Sequence, residues 1–392
     1  MGKRPVDPLF GITTGRAVGA AGEIAVSNSV KWSSFSVCRP LVGVGTLVIG
    51  LSGMFLTTVP TSAQTSAQTS AAKAPARAAR TYTPGRTPWG DPDLSGVYTN
   101  NDESLIPFER PAQFEGRRLE DITPAELESL RDQRSDTREE ADRNRAEFRS
   151  PIHWFENFFP QNSRAWLVTD PPDGKVPPQV DEARQRAAAR AQARVGRGDA
   201  DSYEDRSLYD RCISRGLPGS MMPAIYGNAY EIHQGPGYVA IRYEMVNETR
   251  IIPLDGRPHP NSTFRFYMGD ARGHFEGNTL VVETTNFNPK TAYRGASEHL
   301  TLVEKFKPVA PDILDWSSTF TDPHTWTRPW TFAMNLTKKD VSQRPFEYAC
   351  HEGNYGMVGI LLAGRAEDKA VEEAAKKGVA YTPRPGGTGE ER

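Results

Sequence analysis

GDARGHFEGNTLVVETTNF, residues 269–287, reads as two strands folded about a tight turn at Glu276, Gly277 and Asn278. In its second half, Leu280, Val282 and Thr284 alternate with Val281, Glu283 and Thr285, so a strand here has one dry and one wet face. The same kind of run recurs on both sides: Tyr230 to Gln234, Tyr238 to Met245, Thr249 to Leu254, Thr263 to Phe275, Leu300 to Pro308, Ile313 to Thr321 and Trp326 to Leu336. Gln234 to Gly237 and Leu254 to Gly256 supply further turns, and 34 Gly and 31 Pro in 392 residues suit short connections. The fold expected is mainly β: an antiparallel meander closing into a lipocalin-like barrel or a strongly curved sheet, because closure removes exposed edges.

Outside this region the pattern changes. Residues 123–148 open with Pro124 at a first-turn position and carry mixed charges, and residues 180–195 are rich in Ala and Arg, so both predict helical insertions. Gly96 to Thr99 predicts a short strand, and its Gly-Val-Tyr start resembles the Gly-x-Trp opening of lipocalin-type barrels, with Tyr98 in place of Trp. The single β-rich domain is placed at 87–367, with a polar C-terminal tail at 368–392.

Leu41 to Pro60 carries no charge, follows Lys31 and Arg39, and is followed by small residues at Thr61 to Ala63. Residues 1–63 therefore read as a secretory signal peptide, or as a retained N-terminal anchor that tethers the protein to a membrane. Residues 64–86 are too polar and repetitive to build a core and read as a linker. Export to the periplasm or beyond the cell is the expected localisation. In that compartment Cys212 and Cys350, the two cysteines beyond the leader, read first as a disulfide. Free thiols, or metal ligation by Cys350 with His351, are the alternatives.

A formal net charge of −2 gives no field favouring nucleic acid. The mature chain has no G-x-S-x-G elbow, P-loop, H-E-x-x-H or dinucleotide fingerprint, so no cofactor and no metal is expected. Three polar clusters remain. In YACHEGNY, His351 and Glu352 form a candidate proton-transfer pair, provided that a turn brings both to one cavity. In DPHTWTRPW, Arg328 between Trp326 and Trp330, with Asp322 nearby, could clamp a carboxylate while the indoles stack on a ring. The third holds Arg294, Glu298, His299 and Glu304, in which Glu298 and Glu304 would share a strand face as paired carboxylates. Arg250, Asp255, Arg257 and His259 in RIIPLDGRPHP, and Asp270 and Arg272, read as turns with local salt bridges.

Together, PWGDPDL, RIIPLDGRPH, GDARGHFEGNTLVVETTNF, DPHTWTRPW and EYACHEGNYG resemble the motifs of a large family of exported, uncharacterised bacterial proteins, over roughly Trp89 to Glu367. The resemblance implies export and a shared fold and supplies no catalytic assignment. The function expected is an extracytoplasmic small-molecule-binding protein for an anionic or aromatic ligand, with Arg328, Trp326, Trp330, Asp322 and Arg294 as contacts. The alternative is a cofactor-independent hydrolase, lyase or isomerase using His351, Glu352 and Glu304. A structural envelope component is a third class and predicts no polar interior.

Overall fold

The structure is a computed structural model describing residues 82–147, 161–224, 226–291 and 293–381, with the side chains of 137–147 left aside. The expected signal or anchor and almost all of the expected linker lie outside the described residues. All that follows concerns one compact unit, Ala76–Arg392.

In chain order the elements are β1 (Gly96–Thr99), α1 (Pro124–Glu147), β2 (Val168–Asp170), α2 (Asp181–Ala193), β3 (Ala229–Gly235), β4 (Tyr238–Tyr243) and β5 (Thr249–Pro253). They continue as β6 (Asp270–Glu276), β7 (Thr279–Thr285), β8 (Thr301–Ala310), β9 (Ile313–Thr321), β10 (Trp330–Lys339) and α3 (Tyr355–Lys376). The ten strands form one antiparallel sheet in the order β5-β4-β3-β1-β10-β9-β8-β7-β6, with β2 pairing β10 off this path.

The sheet is two meanders, β3–β5 and β6–β10, joined through β1 rather than through sequence neighbours. The β6–β7 hairpin closes on Glu276 opposite Thr279, where Gly277 takes the positive φ of +62° that the turn demands. No ladder joins β5 to β6 among the described residues, so the sheet is not a hydrogen-bonded closed barrel. The reason lies in the connection 254–269, whose second part, from Thr263, was expected to be strand. Pro258 and Pro260 lack the N–H a ladder needs, Gly269 has a φ of +68°, and the segment forms turns up to Asp270.

The sheet nonetheless coils back on itself. A Cβ on Gly273 in β6 would lie 2.7 Å from Ile252 in β5 and 2.8 Å from Leu254, so glycine is what lets the two edges approach. Alternation supplies the interior. Leu302, Phe306, Trp316, Phe320, Trp330, Phe332, Met334, Val239, Ile241 and Ile252 are buried in one cluster. Phe320 and Trp330 stack at 4.2 Å and 3° at its centre, and Trp316 meets Phe332 edge-on at 5.3 Å.

The helices lie at the periphery. Mostly polar α1 is held by Leu130, which packs with Phe114, Ala165 and Trp166, and by Arg134, which donates to Asn162 Oδ1 at 2.6 Å and to the Ala165 carbonyl at 2.8 Å. α3 runs across the boundary expected at residue 367. Asn354 caps it by accepting from the Met357 N–H. Cys212 and Cys350 form the disulfide, with Cα atoms 5.4 Å apart, which ties the start of α3 to the segment before β3. Among the described residues no helix is long and apolar enough to cross a membrane.

Candidate functional site

The inward face of the sheet is largely apolar and carries one buried ion pair with polar neighbours. On β8 Glu304 sits among Leu302 and Phe306, and it pairs across the ladders with Val282 on β7 and Ser318 on β9. On β5 Arg250 shares the inward face with Ile252, opposite Ile241 of β4, and Tyr243 is two residues further along β4. β5 and β8 are far apart in the sheet order, so curvature alone brings Arg250 to Glu304.

Arg250 Nη2 lies 2.6 Å from Glu304 Oε2, with side-chain exposures of 3 % and 0 %. Nη2 also donates to Thr284 Oγ1 at 2.8 Å, and Trp316 Nε1 donates to Glu304 Oε1 at 3.2 Å. Other polar atoms are buried without hydrogen-bond partners: Arg250 Nε and Nη1, the Tyr243 hydroxyl and Ser318 Oγ, while Glu304 Oε2 has only the ion pair. The Tyr243 hydroxyl lies beside the guanidinium but outside hydrogen-bond geometry. The indole N–H of Trp330, elsewhere in the interior, is likewise buried without an acceptor.

Burial draws the Arg250 pKa down, but the Glu304 carboxylate and the Tyr243 oxygen more than reverse this, so the guanidinium is firmly cationic. Burial also drives the Tyr243 phenol far up, so it stays protonated and able to donate. Burying such groups without partners costs about 1 to 3 kcal/mol each. Guanidinium nitrogens can only donate, whereas the hydroxyls and the Glu304 carboxylate can accept, so the cluster holds unmet donors and acceptors side by side.

The strand expected at Thr249 to Leu254 holds Arg250, but the local salt bridge expected for it does not form, because its partner Glu304 is on another strand of the sheet. Asp255–Arg257 and Asp270–Arg272 do pair locally, and His259 Nδ1 lies 2.6 Å from Asp270 Oδ2, fastening the long connection to β6.

The other candidates are dispersed. Trp326 and Trp330 are buried in the core, whereas Arg328 is half-exposed with Nη2 3.3 Å from Asp170 Oδ1. The three do not share a face, because residues 322–329 form a turn rather than a strand. Asp322 is buried and accepts from the Ser297 N–H at 2.6 Å, Ser297 Oγ at 2.9 Å and Thr325 Oγ1 at 2.6 Å, and so knots two loops. Arg294 is exposed, with its guanidinium carbon 3.7 Å from the centre of the Phe108 ring.

His351 and Glu352 are exposed in the turn before α3, so the structure does not bring them to buried Glu304. Glu298 does not pair with Glu304 either, since it precedes β8 and meets Arg265 at 3.3 Å. Among the described residues no group of His, Cys, Asp and Glu is arranged to hold a metal.

Two open clefts, of about 430 and 530 Å³, lie elsewhere. The first is lined by Tyr82, Tyr98, Lys338 and several prolines, the second by Glu276, Lys305, Lys307 and Asp315. Neither touches the buried cluster, whose unpartnered atoms make it the stronger candidate.

No protein-family model and no curated protein sequence matches the chain. Among solved structures, the chain is similar to a secretory abundant heat soluble (SAHS) protein from Ramazzottius varieornatus, at 17 % identity and a TM-score of 0.21. That similarity covers 34 % of this chain and 87 % of the other, and at this score it carries no argument.

Proposed function

We propose that this protein is an exported, extracytoplasmic small-molecule-binding protein, in which the curved sheet acts as a lipocalin-like container. The observation that carries the reading is the polar set inside the sheet: Arg250 Nε and Nη1, the Tyr243 hydroxyl, Ser318 Oγ and Glu304 Oε2, all buried without a hydrogen-bond partner. A fold that needed only a stable interior would lose nothing by replacing Tyr243 with Phe and Ser318 with Ala. A small anionic or aromatic ligand with a polar head would meet these groups from within the curved sheet. The leader-like Leu41 to Pro60 run and the Cys212–Cys350 disulfide support export.

Native mass spectrometry of the purified protein tests the reading. Wild-type protein should carry a small molecule that both Tyr243→Phe and Ser318→Ala lose, while their melting temperatures stay level or rise. Retention of the same molecule by both variants would show that it sits elsewhere.

A further inference from the structure

The helix α3 carries an apolar stripe that the rest of the fold leaves in water. Tyr355, Val358 and Leu362, spaced three and then four residues apart, fall on one face of the helix and are 83 %, 54 % and 61 % exposed. Gly359 lies on the same face, and a Cβ built there would meet nothing within 4 Å. The opposite face rests on the domain, since a Cβ on Gly364 would lie 2.8 Å from that of Ala200. At the start of the helix Asn354 donates to the Asp210 carbonyl at 2.9 Å and to Cys212 Sγ at 3.3 Å. The stripe is therefore held outward by a fastened helix, and an apolar face of this kind marks an interaction surface.

Charge and symmetry decide what covers it. From Tyr355 to Gly364 the helix has no charged side chain, and its remaining residues carry three basic against four acidic groups, a net charge of −1. That balance offers no attraction for an anionic bilayer. The stripe is also its own complement. When a second copy of the helix lies antiparallel with the twofold axis between Val358 and Gly359, Tyr355 falls opposite Leu362 and Leu362 opposite Tyr355. Val358 then meets Gly359, where the missing side chain lets the helices approach. Glu352 precedes Tyr355 by three residues and Arg365 follows Leu362 by three, and both are exposed, so the same register sets Glu352 of each copy against Arg365 of the other. A parallel pairing would set like charge against like.

We infer that α3 is a self-association surface through which two copies of this chain form an antiparallel, twofold-symmetric dimer. The dimer needs nothing from the interior of the sheet. Each copy offers only about two turns of helix, so the interface is small and association is weak and concentration-dependent.

Sedimentation equilibrium of the purified full chain across micromolar concentrations tests this. Wild type should pass from monomer to dimer, whereas Leu362→Glu, which buries a carboxylate against Tyr355 twice per dimer, should weaken association at least about tenfold. Its melting temperature, read where both proteins are monomeric, should match the wild type. Glu352→Arg and Arg365→Glu should each weaken the dimer at least about threefold, and the double variant should restore it, because the exchanged charges meet again across the axis. A wild type that stays monomeric, a dimer that Leu362→Glu leaves untouched, or charge variants whose losses add in the double would each overturn the dimer. A clear fall in the melting temperature of Leu362→Glu would show the stripe covered within one chain and would overturn it too. So would a monomer that co-sediments with phosphatidylglycerol vesicles, which would give the stripe to a membrane.

Discussion

Replacing Glu304 with Leu leaves the Arg250 guanidinium charged, 3 % exposed and without its carboxylate, and strands the Trp316 N–H as well. Breaking a buried ion pair from one side costs about 3 to 5 kcal/mol. A further unpaired N–H adds about 1 kcal/mol. Arg250→Met alone should cost a similar amount, because it leaves the carboxylate buried instead. The double variant removes both charges and fills the space with apolar atoms, so it should recover most of the loss or exceed the wild type, as such replacements often do by about 1 to 4 kcal/mol. Urea unfolding measures this. With a slope of about 3 kcal/mol/M, each single variant should lower the midpoint by about 1 to 2 M, and the double variant should return it near the wild-type value. If the two single losses simply add in the double variant, Arg250 and Glu304 do not clasp β5 to β8 across the curved sheet, and the interior described above is wrong.

Three other outcomes follow from the same geometry. Reduction of Cys212–Cys350, which closes a loop of 138 residues, should lower stability by up to about 5 kcal/mol on the chain-entropy account; a melt with and without reductant reads it. Burial raises the Glu248 pKa above its ordinary 4.5 despite the Ser214 hydroxyl bonded to it at 2.9 Å. The folded state therefore holds this proton more tightly than the unfolded chain, and the stability it contributes is fully present below pH 4.5 and lost as pH rises through the raised value. Paired denaturation curves should show wild type losing stability relative to Glu248→Gln as pH rises from 4.5 towards neutrality, and parallel curves would refute this. Arg328→Ala removes a half-exposed ion pair and His351→Gln an exposed ring, so each should change stability by less than about 1 kcal/mol and leave ligand affinity intact in calorimetry.

The strands were legible because alternation is a local property. Ile313 to Thr321 and Gly96 to Thr99 match β9 and β1 to the residue, and the two expected helices match α1 and α2 to within two residues at each end. The strand order was not legible, since nothing local in Gly96 to Thr99 shows that β1 pairs with β3 and β10. β2 was missed because Val168–Asp170 is too short to show a period. The buried cluster left a readable trace: Arg250 lies two residues from inward Ile252, and Ser318 lies between Trp316 and Phe320 at the same spacing. A polar residue in the inward phase of an alternating run is the signal, whereas dense polar runs such as 348–355 drew attention and proved exposed at His351 and Glu352. Which inward polar residues would meet depended on curvature, which no single strand encodes.

The position of β1 also bears on how this protein assembles in time. It is made before every strand it touches, and its neighbours arrive only with Ala229–Ile232 and then Thr337–Lys339. The hairpins within β3–β5 and β6–β10 need only local contacts and can form as each emerges. Their union requires this four-residue strand from far upstream to find both at once. Pairings of such long sequence separation are the slow steps of folding, because loop-closure entropy is lost before contacts compensate for it. Until β1 docks, β3 and the Thr337–Lys339 end of β10 each present an open edge, and these two edges are covered by the oldest strand rather than the youngest.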